Sequence, residues 1–206
     1  MHPILKFAEL AYIESQNILP LLRDYTNPHA CIARMVKKGE LIRLKNGFFV
    51  IKDKIEKTRV PFEQIANLLY GPSYLSFEWA LSYYGMIPEG VYVVTSAVAG
   101  RSKSFTTPLG TFDYFGLSHF RYAVGIDQQE NITGRFLIAT PEKALADLIH
   151  LKSRHLESRD LLVDLVEGRR IDGEVLKKLN KNHLLEIAEK YNSKTVFNLI
   201  NALGLL

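Results

Sequence analysis

The stretch from residue 17 to residue 54 constrains the fold most, because it combines helix signals, a hairpin signal and clustered positive charge. Asn27 is a preferred helix-capping residue, and Pro28 after it loses no hydrogen bond at the first position of a helix. Gly39 suits the left-handed conformation that ends many helices. We therefore predict a helix from about residue 28 to about residue 38. Its buried side is marked at helical spacing by Ile32, Met35 and Val36.

The opposite side of this predicted helix is suited to a DNA groove. Ala30 and Ala33 are small, so the backbone can approach a groove floor closely, while Arg34 and Lys37 extend beyond them. A solvated basic face on a small helical subdomain is the alternative interpretation.

A β-hairpin is predicted directly after the helix. Asn46-Gly47 is a strong signal for a two-residue hairpin turn. Arg43 and Lys45 alternate with apolar residues before the turn, and an apolar strand over residues 48–51 follows it. Basic side chains near a hairpin tip are suited to phosphate contact or to insertion into a minor groove.

Together these elements predict a winged helix-turn-helix, which places its second helix in the major groove of duplex DNA. A helix over residues 3–15 completes its three-helix core. This interpretation requires a basic and accessible helix face and a hairpin tip that is not buried against the rest of the chain. The residues that this pattern directs towards DNA are His29, Arg34 and Lys37 on the helix and Arg43 and Lys45 on the hairpin.

The charge distribution agrees with a polyanionic partner for this region alone. Residues 1–60 contain 11 Lys and Arg against 6 Asp and Glu, a net charge of +5, whereas the whole chain carries +4. The excess positive charge therefore belongs to the N-terminal quarter.

Composition places the chain among folded, cytoplasmic proteins. Its 206 residues are 47% hydrophobic and 11% aromatic, as in globular proteins. No apolar stretch approaches the roughly 20 residues needed to span a bilayer, and the N-terminus does not resemble a signal peptide. Cys31 is the single cysteine, so no disulfide can form within the chain. We expect a cytoplasmic protein without membrane contact.

The remaining sequence predicts an α+β protein of two domains. Residues 1–54 form the winged helix, residues 55–60 a charged linker, and residues 61–206 a mixed domain with a mostly antiparallel sheet and a helical C-terminal part. Thr140 caps a helix that runs to about residue 149, and Asn182 caps a later one. The predicted strands span 91–96, 104–107, 111–115, 122–125 and 135–139, and the other predicted helices span 62–69, 77–84, 158–167, 173–179, 183–190 and 194–203.

Motifs for catalysis, cofactors and metals are lacking. The sequence has no Gly-x-Ser-x-Gly elbow, no dinucleotide-binding glycine motif and no convincing metal-ligand spacing. We expect no enzyme, no cofactor and no metal. A second basic patch is predicted from Arg101, Lys103 and Arg121 if strand pairing brings them together. Solvated charges at strand edges are the alternative.

Three segments in order resemble the abortive-infection type IV antitoxin family, the AbiEi-like transcriptional regulators. They are MVKKGELIRLKNGFFV at 35–50, SYLSFEWALSYYG at 73–85 and ATPEKALAD at 139–147. The resemblance covers about residues 5–150.

The resemblance implies a transcriptional autorepressor whose N-terminal winged helix binds inverted repeats in its own promoter. Carried onto this sequence, it implies DNA contact by Asn27, His29, Arg34, Lys37, Lys38, Arg43, Lys45 and Asn46. It also implies a C-terminal domain that counteracts a nucleotidyltransferase-type toxin without a stable complex. A winged-helix protein-interaction module, or a nucleic-acid-processing enzyme without a recognised motif, is the alternative.

Overall fold

The computed structural model describes residues 2–6, 8–153 and 155–204, which form a mixed α and β structure around two hydrophobic cores. The α+β fold class is therefore confirmed. No helix in these ranges is both long enough and apolar enough to cross a membrane.

The N-terminal unit, residues 2–60, contains a small antiparallel sheet in the order β1-β3-β2. The helical segments that precede the hairpin pack on one face of that sheet and form the smaller core with it. The elements are α1 (Pro3–Lys6), β1 (Tyr12–Glu14), α2 (Ser15–Ile18), a 3₁₀ turn (Pro20–Leu22), α3 (Pro28–Lys37), β2 (Leu41–Lys45), β3 (Phe48–Ile51) and α4 (Lys52–Lys57).

Helix α3 begins and ends as the sequence predicts. The Asn27 Oδ1 atom accepts a hydrogen bond from the Ala30 amide at 3.0 Å, and Pro28 occupies the first helical position. Gly39 follows the helix with φ +70°. In this conformation a side chain would be strained, which explains the glycine.

The prediction of one helix over residues 3–15 is wrong in its second half. Helix α1 covers only Pro3–Lys6, and Tyr12–Glu14 form β1. Tyr12 pairs with Val50 and Glu14 with Phe48, so β1 takes its backbone hydrogen bonds from β3. Strand pairing with a distant segment overrides the helical spacing of the apolar residues here.

The predicted linker overlaps a helix. Helix α4 follows β3 directly, and i,i+4 ion pairs join Lys52 to Glu56 and Lys57 to Asp53. Such exposed pairs stabilise a helix only slightly.

The C-terminal unit, residues 61–204, contains a six-stranded sheet in the order β6-β7-β5-β4-β9-β8. The pairs β5–β7 and β4–β9 are parallel and the other three are antiparallel, so the sheet is mixed with an antiparallel majority. Its elements up to the last strand are α5 (Phe62–Leu69), β4 (Ser73–Leu75), α6 (Phe77–Tyr83), β5 (Val94–Val98), β6 (Lys103–Thr107), β7 (Gly110–Gly116), α7 (His119–Tyr122), β8 (Ile126–Asn131) and β9 (Gly134–Ala139).

The strand predicted over residues 122–125 is wrong, because a short helix, α7, ends at Tyr122 and strand β8 starts at Ile126. At the start of α6, Ser76 occupies the capping position but makes no side-chain cap hydrogen bond. The Ser76 hydroxyl donates to Asp147, and Thr95 Oγ1 accepts from the Trp79 amide at 3.1 Å in its place.

Helices complete the C-terminal unit. Thr140 caps α8, as predicted, by accepting a hydrogen bond from the Lys143 amide. The cap of α11 is Asn180 and not Asn182, since the Asn180 side chain accepts from two amides of the first turn. These elements are α8 (Pro141–Lys152), α9 (Ser158–Val163), a π-helical turn (Asp164–Gly168), α10 (Gly173–Lys177), α11 (Lys181–Tyr191) and α12 (Lys194–Leu203).

Strand β3 belongs to both cores. Phe49 is buried with Leu41 in the core of the N-terminal unit, whereas its neighbour Phe48 is buried with Leu44 and Val50 in the larger core. Successive side chains of a strand point to opposite faces. The small sheet therefore lies between the two cores and joins the two units.

Candidate nucleic-acid interface

Helix α3 exposes the side that the sequence analysis assigned to DNA. His29, Ala33 and Arg34 are solvent-exposed, and so are Ala30, Lys37 and Lys38. The opposite side is buried, with Cys31, Ile32 and Met35 each at most 4% exposed. The predicted division of this helix into two faces is confirmed.

The cations on this face are not neutralised by neighbours. Within the described ranges, Arg34, Lys37 and Lys38 have no carboxylate within ion-pair distance. Exposed cations without partners keep their charge available for a polyanion, so this face presents positive charge to solvent.

Asn27 lies at the exposed N-terminal end of α3, and one of its two side-chain polar groups already makes a hydrogen bond within the helix. Its Oδ1 atom is the acceptor of the helix cap. The Nδ2 group remains as a donor, which could reach a phosphate or a base acceptor but could not accept from a base.

The two basic residues of the hairpin, Arg43 and Lys45, lie on opposite faces of the small sheet. The register between β2 and β3 shifts between Arg43 and Lys45, which places Arg43 opposite Phe49 and Lys45 opposite Phe48. The Arg43 guanidinium lies 5.6 Å from the centroid of the Phe49 ring, on the face of the N-terminal core. Lys45 lies on the other face, towards the C-terminal unit, because the bulge breaks the alternation that the sequence suggests.

Lys45 is engaged within the protein. Its Nζ atom donates to the carbonyl oxygens of Leu69 at 2.7 Å and Leu68 at 3.3 Å, at the C-terminal end of α5. Such terminal carbonyls lack helical partners and carry partial negative charge. The hairpin is therefore attached to the larger unit through Lys45 and through the buried side chains of Leu44 and Phe48, so the requirement of a free hairpin tip is not met along its length. Asn46 at the turn is exposed.

The second basic patch is not assembled. Lys103 is on β6 at one edge of the sheet, with Nζ 4.6 Å from the Phe105 ring centroid and 5.4 Å from that of Tyr70. Arg101 is exposed nearby, and its carbonyl accepts a hydrogen bond from the Tyr70 hydroxyl at 3.2 Å.

Arg121 lies elsewhere, because it belongs to helix α7 and not to a strand. Its Nε atom donates to the Tyr191 carbonyl at 2.9 Å. The next residue, Tyr122, contacts Tyr74 of β4, which is three strands from β6 and about 14 Å away at normal strand spacing. The expectation that strand pairing unites Arg121 with Lys103 is wrong.

A buried cluster of polar side chains joins α8 to α7 and α11, and sequence reasoning missed it. Lys143 Nζ donates to Asp147 Oδ1 at 2.7 Å and to the Arg121 carbonyl at 2.8 Å. The Tyr191 hydroxyl contacts both the Lys143 ammonium and the Asp147 carboxylate. The side chains of Lys143 and Asp147 have no exposed surface.

The same carboxylate also binds β4 and the residue after it. Asp147 Oδ2 accepts from Ser76 Oγ at 2.6 Å and from the Tyr74 hydroxyl at 3.1 Å. Burial raises the pKa of Tyr74 and Tyr191, and burial lowers the pKa of Lys143 against the opposing effect of Asp147. Because the cluster is closed to solvent, it ties elements together and offers no surface to an external substrate.

The missed signal was the spacing of Lys143 and Asp147. They lie four residues apart, one above the other on a helix whose intervening residues, Ala144, Leu145 and Ala146, are all fully buried. Opposite charges at that spacing, with only apolar residues between them, indicate an internal ion pair.

No group of three or more potential metal ligands occurs in the part of the chain that the structure describes. The chain matches no protein-family model, and no curated protein matches it significantly. The resemblance to antitoxin-type regulators therefore rests on the three sequence segments, and the geometry of α3 is an independent observation.

Proposed function

We propose that the chain is a sequence-specific DNA-binding transcriptional autorepressor whose residues 1–54 form a winged helix-turn-helix. The observation that carries this proposal is the outer face of α3, which is exposed and basic and has small residues at its centre. A surface of this shape and charge complements a DNA groove.

The topology of the N-terminal unit supports the same proposal. A helix, a strand, three further helical segments and a hairpin follow one another. The first strand pairs with the second strand of the hairpin, which is the middle strand in the order β1-β3-β2. This order of elements supports the proposal of a winged helix in which α3 is the recognition helix.

The proposed contacts divide into two kinds. His29, Arg34 and the free amide donor of Asn27 contact base edges from the first two turns of α3. Lys37, Lys38 and Arg43 contact phosphates, and Asn46 lies at the hairpin tip. Phosphate contacts position the protein, and base contacts specify the sequence. We leave Lys45 out of the interface, since its ammonium group binds carbonyl oxygens of α5.

The biological role within the proposal rests on the resemblance to AbiEi-like regulators. On that basis the DNA target is inverted repeats in the chain's own promoter, and the chain is the antitoxin of a type IV toxin–antitoxin system in the cytoplasm. Its C-terminal unit counteracts a nucleotidyltransferase-type toxin without a stable complex, and it does so without catalysis.

Fluorescence anisotropy with duplex DNA from the region upstream of the gene tests the DNA-binding proposal. Arg34→Ala should weaken binding by about 1–3 kcal/mol, since a bidentate arginine–guanine contact has that magnitude. Arg159→Ala is the matched control, because Arg159 is also an exposed helical arginine but lies on α9. Equal affinities for the wild type and both variants would contradict the proposal.

The antitoxin role needs its own test. A neighbouring gene for a nucleotidyltransferase-type protein should arrest growth when expressed alone, and co-expression of this chain should restore growth. Arg34→Ala should keep the rescue but lose promoter repression. Repression without rescue would leave a DNA-binding regulator that is not an antitoxin.

A further inference from the structure

A cleft of about 620 Å³ opens in the C-terminal unit, away from the small sheet and α3. It lies between the start of α6, the segment before β5, strand β7, the end of α8 and the π-helical turn. This volume is in the usual range for sites that bind small molecules.

The walls of the cleft are largely apolar. Leu81 and Leu148 are fully buried and line it together with Ile87, Val93 and the ring of Phe115. Tyr92 lies at the cleft with a side chain that is 94% exposed. Exposure of a large aromatic side chain at a cleft is typical of a surface that contacts a ligand.

The cations of the cleft are already paired. Lys152 Nζ contacts Glu78 Oε1, and Arg169 Nη1 lies 3.8 Å from the same oxygen. Arg169 Nε also donates to Asp164 Oδ2 at 3.0 Å. An anion that entered the cleft would have to compete with these carboxylates.

Two carboxylate positions, by contrast, lack donors. The side chain of Asp113, in the middle of β7, makes no hydrogen bond or ion pair with any residue of the described ranges, whereas its backbone belongs to the pairing of β7 with β5 and β6. In the wall of the cleft, Glu78 Oε2 is buried and has no hydrogen-bond partner there either. A buried acceptor without a donor is costly, so Glu78 Oε2 favours a ligand that donates hydrogen bonds. The half-buried Asp113 carboxylate supplies a second acceptor, with a negative charge, in the same cleft.

The backbone on both sides of the cleft is unusual. Phe77, directly before Glu78, has φ +57°, and Arg170, directly after Arg169, has φ +55°. A π-helical turn ends at Gly168, which lines the cleft. Positive φ values at large residues and π-helical turns are enriched at functional sites.

We propose that this cleft binds a small organic cation, an ammonium or guanidinium group carried on an apolar or aromatic body, with Asp113 as its counter-ion. The charged group donates hydrogen bonds to Asp113, and such charge-assisted bonds are the stronger kind. The exposed ring of Tyr92 adds attraction for a cation, whereas the Phe115 ring already has Lys152 Nζ 5.9 Å from its centroid. The proposal is independent of DNA binding, because it uses no residue of α3 or of the hairpin.

Calorimetric titration with three probes of similar size tests the charge preference on the wild-type protein. The probes are 2-phenylethylamine, which is cationic, 2-phenylethanol, which is neutral, and 3-phenylpropanoate, which is anionic. We expect the amine to bind at least about tenfold more tightly than the alcohol, and the anion to be the weakest. Equal binding of all three, tighter binding of the anion, or no binding of the amine at about 10 mM would overturn the proposal.

A pair of isosteric variants locates the site. Asp113→Asn keeps the shape of the side chain and removes its charge, so amine binding should weaken by about tenfold or more. Asp127→Asn is the matched control, because Asp127 is exposed on β8, four strands away from β7. Amine binding that is unchanged in Asp113→Asn, or weakened equally in both variants, would exclude the assigned counter-ion.

Discussion

Lys143 and Asp147 form an ion pair one helical turn apart on α8, with 2.7 Å between Nζ and Oδ1 and no exposed surface on either side chain. Around this pair, hydroxyl groups of Ser76, Tyr74 and Tyr191 complete the hydrogen bonds of the carboxylate. A buried charge that loses its partner is expensive, so the stability of the C-terminal unit depends on both residues.

The first prediction concerns this pair. Asp147→Ala should lower the free energy of unfolding by about 3–5 kcal/mol, because it leaves a buried ammonium group without its counter-ion. Urea denaturation followed by circular dichroism measures the change. Glu174→Ala is the control, since it removes one partner of the exposed Lys177–Glu174 pair and should cost less than about 1 kcal/mol. Similar losses of unfolding free energy in both variants would mean that the buried pair contributes no more to stability than an exposed pair.

The second prediction is a loss of stability at alkaline pH. Burial raises the pKa of Tyr74, Tyr114 and Tyr191 above the value of about 10 that applies in the unfolded chain. The stability that these phenols contribute is therefore complete below about pH 10 and is lost as the pH rises towards their folded-state pKa values. The lowered pKa of Lys143 acts in the opposite direction, but it is one group against six, because burial also raises the pKa values of Tyr12, Tyr84 and Tyr122.

The free energy of unfolding should therefore decrease above about pH 10, by roughly 1.4 kcal/mol per pH unit for each phenol that stays protonated only in the folded state. Urea midpoints measured between about pH 9 and pH 11.5 test this. Tyr114→Phe removes one of these phenols, so the slope of the free energy of unfolding against pH should become smaller by roughly 1.4 kcal/mol per pH unit. The Tyr114 hydroxyl is buried and donates to the Ala66 carbonyl at 2.7 Å. An unchanged slope in Tyr114→Phe would contradict the assignment.

The third prediction separates the two basic residues of the hairpin. Lys45→Met should lower stability by about 1–2 kcal/mol, because two carbonyl acceptors lose a charged donor, and it should leave DNA affinity nearly unchanged. Under the proposed function, Arg43→Ala should leave stability nearly unchanged and weaken DNA binding. It should also lower the salt dependence of DNA binding by about one counter-ion. Denaturation and anisotropy at several salt concentrations measure both quantities. A large loss of DNA affinity in Lys45→Met would instead show that Lys45 contributes to the DNA interface.

The fourth prediction is that the two units unfold together. Phe49→Ala should cost about 3–5 kcal/mol, because the ring is buried in the N-terminal core. Trp79 is the single tryptophan and belongs to the C-terminal unit, so its fluorescence reports on that unit. We expect Phe49→Ala to lower the midpoint of the Trp79 transition as much as that of the circular-dichroism transition. An unchanged Trp79 midpoint would indicate separate unfolding.

Local signals predicted several elements well. The helices over residues 62–69 and 194–203 match α5 and α12 at both ends, since regular apolar spacing defines each of them. The cap and stop of α3 were also predicted, because Asn27, Pro28 and Gly39 act within a few residues of the chain.

Elements that depend on distant partners were missed. Strand β1 is only three residues long and exists because β3 pairs with it, and β4 is equally short and lies between two other strands. The attachment of Lys45 to α5 follows from a bulge, which the alternation of residues 42–45 does not reveal. The candidate DNA face of α3 was predictable from its spacing, whereas the cleft around Asp113 combines segments far apart in the sequence.

Because β3 contributes adjacent side chains to two cores, the chain cannot be cut between its units without consequence. A fragment that ends near residue 60 would keep Phe49 covered but would present Leu44, Phe48 and Val50 to water on one open sheet face. Contiguous apolar faces of this kind promote self-association. An isolated N-terminal fragment should therefore aggregate unless polar residues replace those three.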